Sequence, residues 1–136
     1  MPAAPGAGPE PRVTVGPILV VDDEAMVRMV VSRVAEDLGY VVAEAEHGGR
    51  ALEMLVRLAG HVRLVITDYE MPVVNGIDLI RNVRERWPDV PVLCISGYTH
   101  HIEHLQRLLD PPCRTLVKPF DLDRLADEIR AAAGEP

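Results

Sequence analysis

Thiols are scarce in this chain: Cys94 and Cys113 are the only two, and they form neither a CxxC spacing nor the array of a disulfide framework. Free thiols are expected, and a bridge-stapled secreted scaffold is excluded. Long hydrophobic runs are also missing, since the apolar stretches end after four or five residues while a bilayer-spanning helix needs roughly 20. The N-terminus has no charged-then-apolar signal pattern, so the expected location is the cytoplasm, with no membrane contact by this domain. Positive charge is in deficit, with 14 Lys plus Arg against 21 Asp plus Glu and a formal net charge of -7. That balance excludes direct nucleic-acid binding driven by counterion release. Internal repeats are absent, which removes a solenoid.

What remains suits one globular domain: 136 residues, 48% hydrophobic and 26% charged. The opening "MPAAPGAGPEPRVTVG", residues 1–16, lacks apolar periodicity and reads as a flexible Pro/Ala/Gly-rich tail or linker remnant. The folded domain is expected over 17–133, with 134–136 as a C-terminal tail. Within it, short apolar runs alternate with amphipathic stretches: "ILVV", Met26 to Leu38, "YVVAEA", Arg50 to Leu58, "RLVIT", Ile77 to Trp87, "PVLCIS", a histidine-rich stretch, "TLV", and Leu122 to Ala133. This is a (βα)5 rhythm.

Val27, Val30, Val31, Val34 and Leu38 recur at helical spacing before Gly39, and Ile77, Ile80, Val83 and Trp87 do so before Pro88. Asp121 is placed to cap a last helix whose core face would carry Leu122, Leu125 and Ile129. "ILVV" and "VLCI" are apolar at every position, as strands buried on both faces of a parallel sheet require. The expected architecture is a three-layer α/β sandwich.

Open parallel sheets carry their ligand site beyond the carboxyl ends of the strands. There the sequence places Asp22, Asp23 and Glu24 after the first strand, Asp68 after the third, Ser96 after the fourth, and Lys118 with Pro119 after the fifth. With strand order 2-1-3-4-5 these four ends are neighbours. Adjacent carboxylates repel unless a cation or basic groups offset them, and this oxygen-rich set suits Mg²⁺, held by Asp22 and Asp23. Asp68 is then a nucleophile toward phosphorus, with Lys118 and Ser96 contacting phosphoryl oxygens. A P-loop or dinucleotide site is excluded, because acids stand where glycine amides would be needed.

"VVDDE", "VITDYEMP", "NG", "VLCISGY" and "LVKPF", in this order and spacing, resemble the receiver domain of two-component response regulators, over roughly Pro17 to Ala133. The fold this implies is the flavodoxin-like sandwich with parallel order 2-1-3-4-5. The resemblance implies that Asp68 accepts a phosphoryl group from a histidine kinase or histidine phosphotransfer domain. Mg²⁺, for which Mn²⁺ could substitute, would be held by Asp23, Asp68 and the backbone carbonyl of Glu70, with Asp22 acting through metal-bound water. It further implies a cis Lys118–Pro119 bond that orients the lysine, and Glu70 and Tyr98 as the positions that tune phosphoryl lifetime. The domain would not be a turnover enzyme, although it supports its own phosphorylation and dephosphorylation. "SGYTHHIEHLQRLLDPPCRTLVKPF" looks most like receivers attached to hybrid sensor histidine kinases, in which the attached kinase would be the enzyme; the output partner is not specified.

Two departures stand out. The switch position three residues before the lysine, usually Tyr or Phe, holds Thr115, and the paired prolines of "DPPC", Asp110 to Cys113, suggest a short or displaced fourth helix. The competing reading is a haloacid-dehalogenase-like phosphatase, also Mg²⁺-dependent and aspartyl-phosphate forming, but "DDE" lacks its D-x-D and the five compact units lack its cap. A pseudo-receiver that only binds proteins does not explain the intact acceptor set. Among the remaining residues, His100, His101 and His104 read as a solvated helix face in preference to a zinc site, Cys94 as a small core hydrophobe, Trp87 as packing, and Asn75 with Gly76 as a turn.

Overall fold

The computed structural model describes residues 16–136; the tail expected over 1–16 lies, except for Gly16, outside the described residues. Five strands and five helices alternate: β1 Ile18–Val21, α1 Ala25–Asp37, β2 Val42–Ala45, α2 Gly48–Arg57, β3 Leu64–Asp68, α3 Gly76–Arg86, β4 Val92–Ser96, α4 Thr99–Leu108, β5 Arg114–Val117 and α5 Leu122–Ala133. The strands form one parallel sheet in the order β2-β1-β3-β4-β5, with Val21 opposite Thr67, Asp68 opposite Ile95 and Ser96 opposite Val117. The central strands β1, β3 and β4 are buried along their whole length, as the apolar runs "ILVV", "LVI" and "VLCI" require, with the polar Thr67, Asp68 and Ser96 at the carboxyl ends of β3 and β4.

Alternate strand residues feed two cores. Ile18, Val20, Leu64, Ile66, Leu93 and Ile95 pack with Val31 and Ala35 of α1 and with Leu125 and Ile129 of α5. Leu19, Val21, Val65 and Cys94 pack on the other face with α2, α3 and Leu105 of α4. The period of two along each strand thus builds three layers. No helix among the described residues is long and apolar enough to cross a membrane.

Two expected core residues face outward. Val30 is 41% and Leu122 55% exposed, because α1 turns Val31, Ser32 and Ala35 toward the sheet and Leu122 occupies the first turn of α5. Helical spacing marks an apolar stripe but not which edge of it meets solvent. At ten residues α4 is, with α2, the shortest of the five helices, and the paired prolines follow its end, where a chain without a free N–H leaves the helix.

Candidate functional site

The carboxyl ends of β1, β3, β4 and β5 lie side by side and carry the polar groups. Asp68 ends β3 and Ser96 ends β4, both buried, while Asp22 and Asp23 follow β1 and Lys118 follows β5. Lys118 is the chain's only lysine. Its Nζ lies 3.8 Å from Asp68 Oδ1, and its backbone N–H donates to the Ser96 carbonyl at 2.8 Å, which ties the end of β5 to the end of β4. The Lys118–Pro119 peptide is cis.

Carboxylate oxygens of Asp22, Asp23 and Asp68 approach within 4.8 Å of one another, with Asp22 and Asp68 buried and Asp23 exposed. Burial raises the pKa of Asp68 to about 6 against the pull of Lys118, with the nearby Asp22 adding to the rise. Asp22 is also raised, chiefly by burial, although the Glu24 backbone N–H and Lys118 oppose this. Two charges are therefore held where water compensates them poorly. Asp68 Oδ1 is buried and has no hydrogen-bond partner. A buried carboxylate oxygen without a hydrogen bond, beside two further carboxylates, fits a hard divalent cation, which prefers oxygen donors.

Local sequence explains the positions. Asn75 caps α3 by accepting the Asp78 N–H at 3.0 Å, and Gly76 donates its N–H to the Tyr69 carbonyl at 2.9 Å. A Cβ at position 76 would lie 2.5 Å from the Asp68 carbonyl oxygen, so glycine lets α3 begin against the acceptor strand. Arg28, which sequence reasoning did not single out, donates to the Asp22 carbonyl at 2.7 Å and pairs with Glu44 at 3.0 Å, so it braces the acidic loop. Its only sequence signal is a place one turn into the helix that follows the acids.

Glu70 and Tyr98 are exposed, and Thr115 is half-buried on β5. The histidines differ from a solvated face. His100 is exposed, but His101 and His104 are half-buried against Tyr69, the residue that follows β3. The metal-type cluster found among the described residues is the aspartate one, not a histidine one. Cys94 is fully buried with its thiol pKa pushed well up by burial, which makes it an unreactive core residue.

Residues 18–130 match the response regulator receiver domain family. The chain belongs to that family. This receiver domain is 36% identical over 113 residues to the sensor kinase CckA of Brucella abortus, covering 83% of this chain but only 12% of that protein. It is 34% identical over 120 residues to the chemotaxis protein CheY1 of Helicobacter pylori, covering 86% of this chain and 96% of that one. The response regulator protein TrrA of Thermotoga maritima, solved in complex with Mg(2+)-BeF, superposes with a TM-score of 0.75 at 30% identity, covering 85% of this chain and 96% of that one. The chain is thus a phosphoacceptor domain of two-component signal transduction. The haloacid-dehalogenase-like alternative is not favoured: the five βα units follow one another without an inserted cap among the described residues.

Proposed function

We propose that Asp68 is the phosphoryl acceptor. The observation that carries this reading is its buried Oδ1, which has no hydrogen-bond partner and is flanked by Asp22, Asp23 and, at 3.8 Å, the sole lysine. The donor is a phosphohistidine on a histidine kinase or histidine phosphotransfer domain. An Asp68 oxygen bonds to phosphorus as the phosphorus–nitrogen bond breaks, and the electron pair stays with the departing imidazole. Asp23, Asp68 and the Glu70 carbonyl would hold Mg²⁺, or Mn²⁺ in its place, with Asp22 reaching it through water, and the ion would neutralise charge between carboxylate and phosphoryl group. Lys118 faces one phosphoryl oxygen and the Ser96 hydroxyl reaches another. Glu70 and Tyr98 border the route by which water reaches the acyl phosphate, and Pro119 orients the lysine. Turnover of an external substrate is not part of this function.

The folded unit is taken as 17–133 and its setting as cytoplasmic, either as a stand-alone regulator or as one segment of a hybrid kinase; the match to the CckA sensor kinase supports the second. With Mg²⁺ and acetyl phosphate, the domain gains a single acid-stable, base-labile phosphoryl group, which peptide mapping by mass spectrometry finds on Asp68. A phosphoryl group on Asp22, Asp23 or a histidine sinks the assignment.

Lys118 carries a separate expectation. Its Nζ stands 3.8 Å from the acceptor while its backbone holds Ser96, so it senses added negative charge and passes that change to two strands. Lys118→Ala is expected to accept a phosphoryl group yet lose most of the phosphorylation-dependent change in amide exchange along α4 and β5. A variant that keeps the full change removes the lysine as the coupling group.

A further inference from the structure

The buried Ser96 hydroxyl has an occupant the phosphoacceptor site does not use. Ser96 Oγ lies 2.7 Å from Nδ1 of His101 in α4, accepts the Tyr98 backbone N–H at 3.2 Å, and stands 3.4 Å from the Tyr98 carbonyl. A hydroxyl has one proton to give. The shorter approach directs it to the imidazole, whose Nδ1 also lies 3.8 Å from Glu70 Oε1. The same ring lies flat on Tyr69, with centroids 4.1 Å apart and planes 16° from parallel. The Tyr69 hydroxyl is in turn 2.8 Å from His104 Nδ1. One turn of α4 therefore grips both the serine at the end of β4 and the residue that follows Asp68.

We propose that His101 is a positioning residue of the phosphoacceptor site: its imidazole holds the Ser96 hydroxyl in the resting arrangement, and Ser96 donates to a phosphoryl oxygen only by giving up that bond. This rests on the reading of Asp68 as acceptor. When the serine proton turns to the phosphoryl group, His101 Nδ1 loses its donor, and the stack of His101 on Tyr69 joins the acceptor strand to α4 directly. Thr115, on the neighbouring strand, has no ring to register the same movement. A net neutral hydrogen bond corresponds to about a fivefold bias in an equilibrium, which sets the size of the restraint.

Beryllofluoride with Mg²⁺ is the probe, titrated into the domain and followed by NMR. His101→Phe keeps a ring against Tyr69 but offers no acceptor, whereas His101→Asn keeps an acceptor near the place of Nδ1. His101→Phe is expected to bind the probe about fivefold more tightly than the parent, as the loss of one neutral hydrogen bond predicts, with His101→Asn returning toward the parent value. In a Ser96→Ala background the His101→Phe gain is expected to vanish, which a purely structural role of the ring would not bring about. Equal affinity of His101→Phe and the parent, or a gain that persists without the serine hydroxyl, overturns the proposal while Asp68 phosphorylation by acetyl phosphate still stands. A parent chain that takes no phosphoryl group on Asp68 overturns the functional reading and this inference together.

Discussion

Asp68→Asn takes no phosphoryl group, and in metal-free buffer near neutral pH it resists urea better than the parent chain. Loss of acceptance follows from the chemistry, because an amide oxygen does not form the acyl phosphate that a carboxylate forms. The gain in stability follows from burial. Asp68 has a folded-state pKa of about 6, against about 3.9 for an unfolded aspartate. The folded chain therefore binds more protons than the unfolded chain between those values. Its contribution to stability is fully present below about pH 4, falls as pH rises through about 6, and stays lost above that. A shift of this size corresponds to an upper bound of about 3 kcal/mol, and the asparagine escapes it. Asp22, raised in the same direction, remains in the variant, so the slope of stability against pH is reduced without disappearing. Urea unfolding in EDTA at several values between pH 4 and 8 measures this directly. An asparagine variant with the parent's slope, or with lower stability at pH 7, shows that the buried charge on Asp68 is not the burden inferred here.

That opposition between charge and burial is also why so much of the site is legible in the sequence. "ILVV" and "VLCI" can be buried on both faces only in the middle of a parallel sheet, and that choice brings the groups at four strand ends together. Asp22, Asp23, Asp68, Ser96 and Lys118 are thus read from position alone. His101 and His104 are not, because their contacts depend on how α4 is turned about its axis over Tyr69, more than thirty residues away in the chain. Spacing gives the two imidazoles a common face but not the neighbour opposite it. Val30 and Leu122 are missed for the related reason that an apolar residue at the margin of a stripe meets the core or solvent according to helix rotation. Arg28 is missed because an arginine one turn into a surface helix looks like any solvated cation until the carbonyl it holds is located.

The two adjacent acids after β1 are expected to differ in what their removal does to Mg²⁺ binding. Asp22 is buried, one of its carboxylate oxygens accepts the Glu24 backbone N–H at 2.9 Å, and its own carbonyl takes the Arg28 guanidinium. It is already committed to holding the loop, which suits a role through metal-bound water. Asp23 is exposed and makes no hydrogen bond or ion pair among the described residues, so its oxygens remain available as direct ligands. Direct ligation is worth more than an outer contact, although outer partners also matter. Asp23→Ala is expected to weaken Mg²⁺ binding by on the order of tenfold or more, and Asp22→Ala by several times less. Calorimetric titration of both variants with Mg²⁺ at one pH above 7, where Asp68 is ionised in each, provides the comparison. Equal losses show that the roles assigned to the pair are wrong, and a larger loss in Asp22→Ala makes the buried acid the direct ligand.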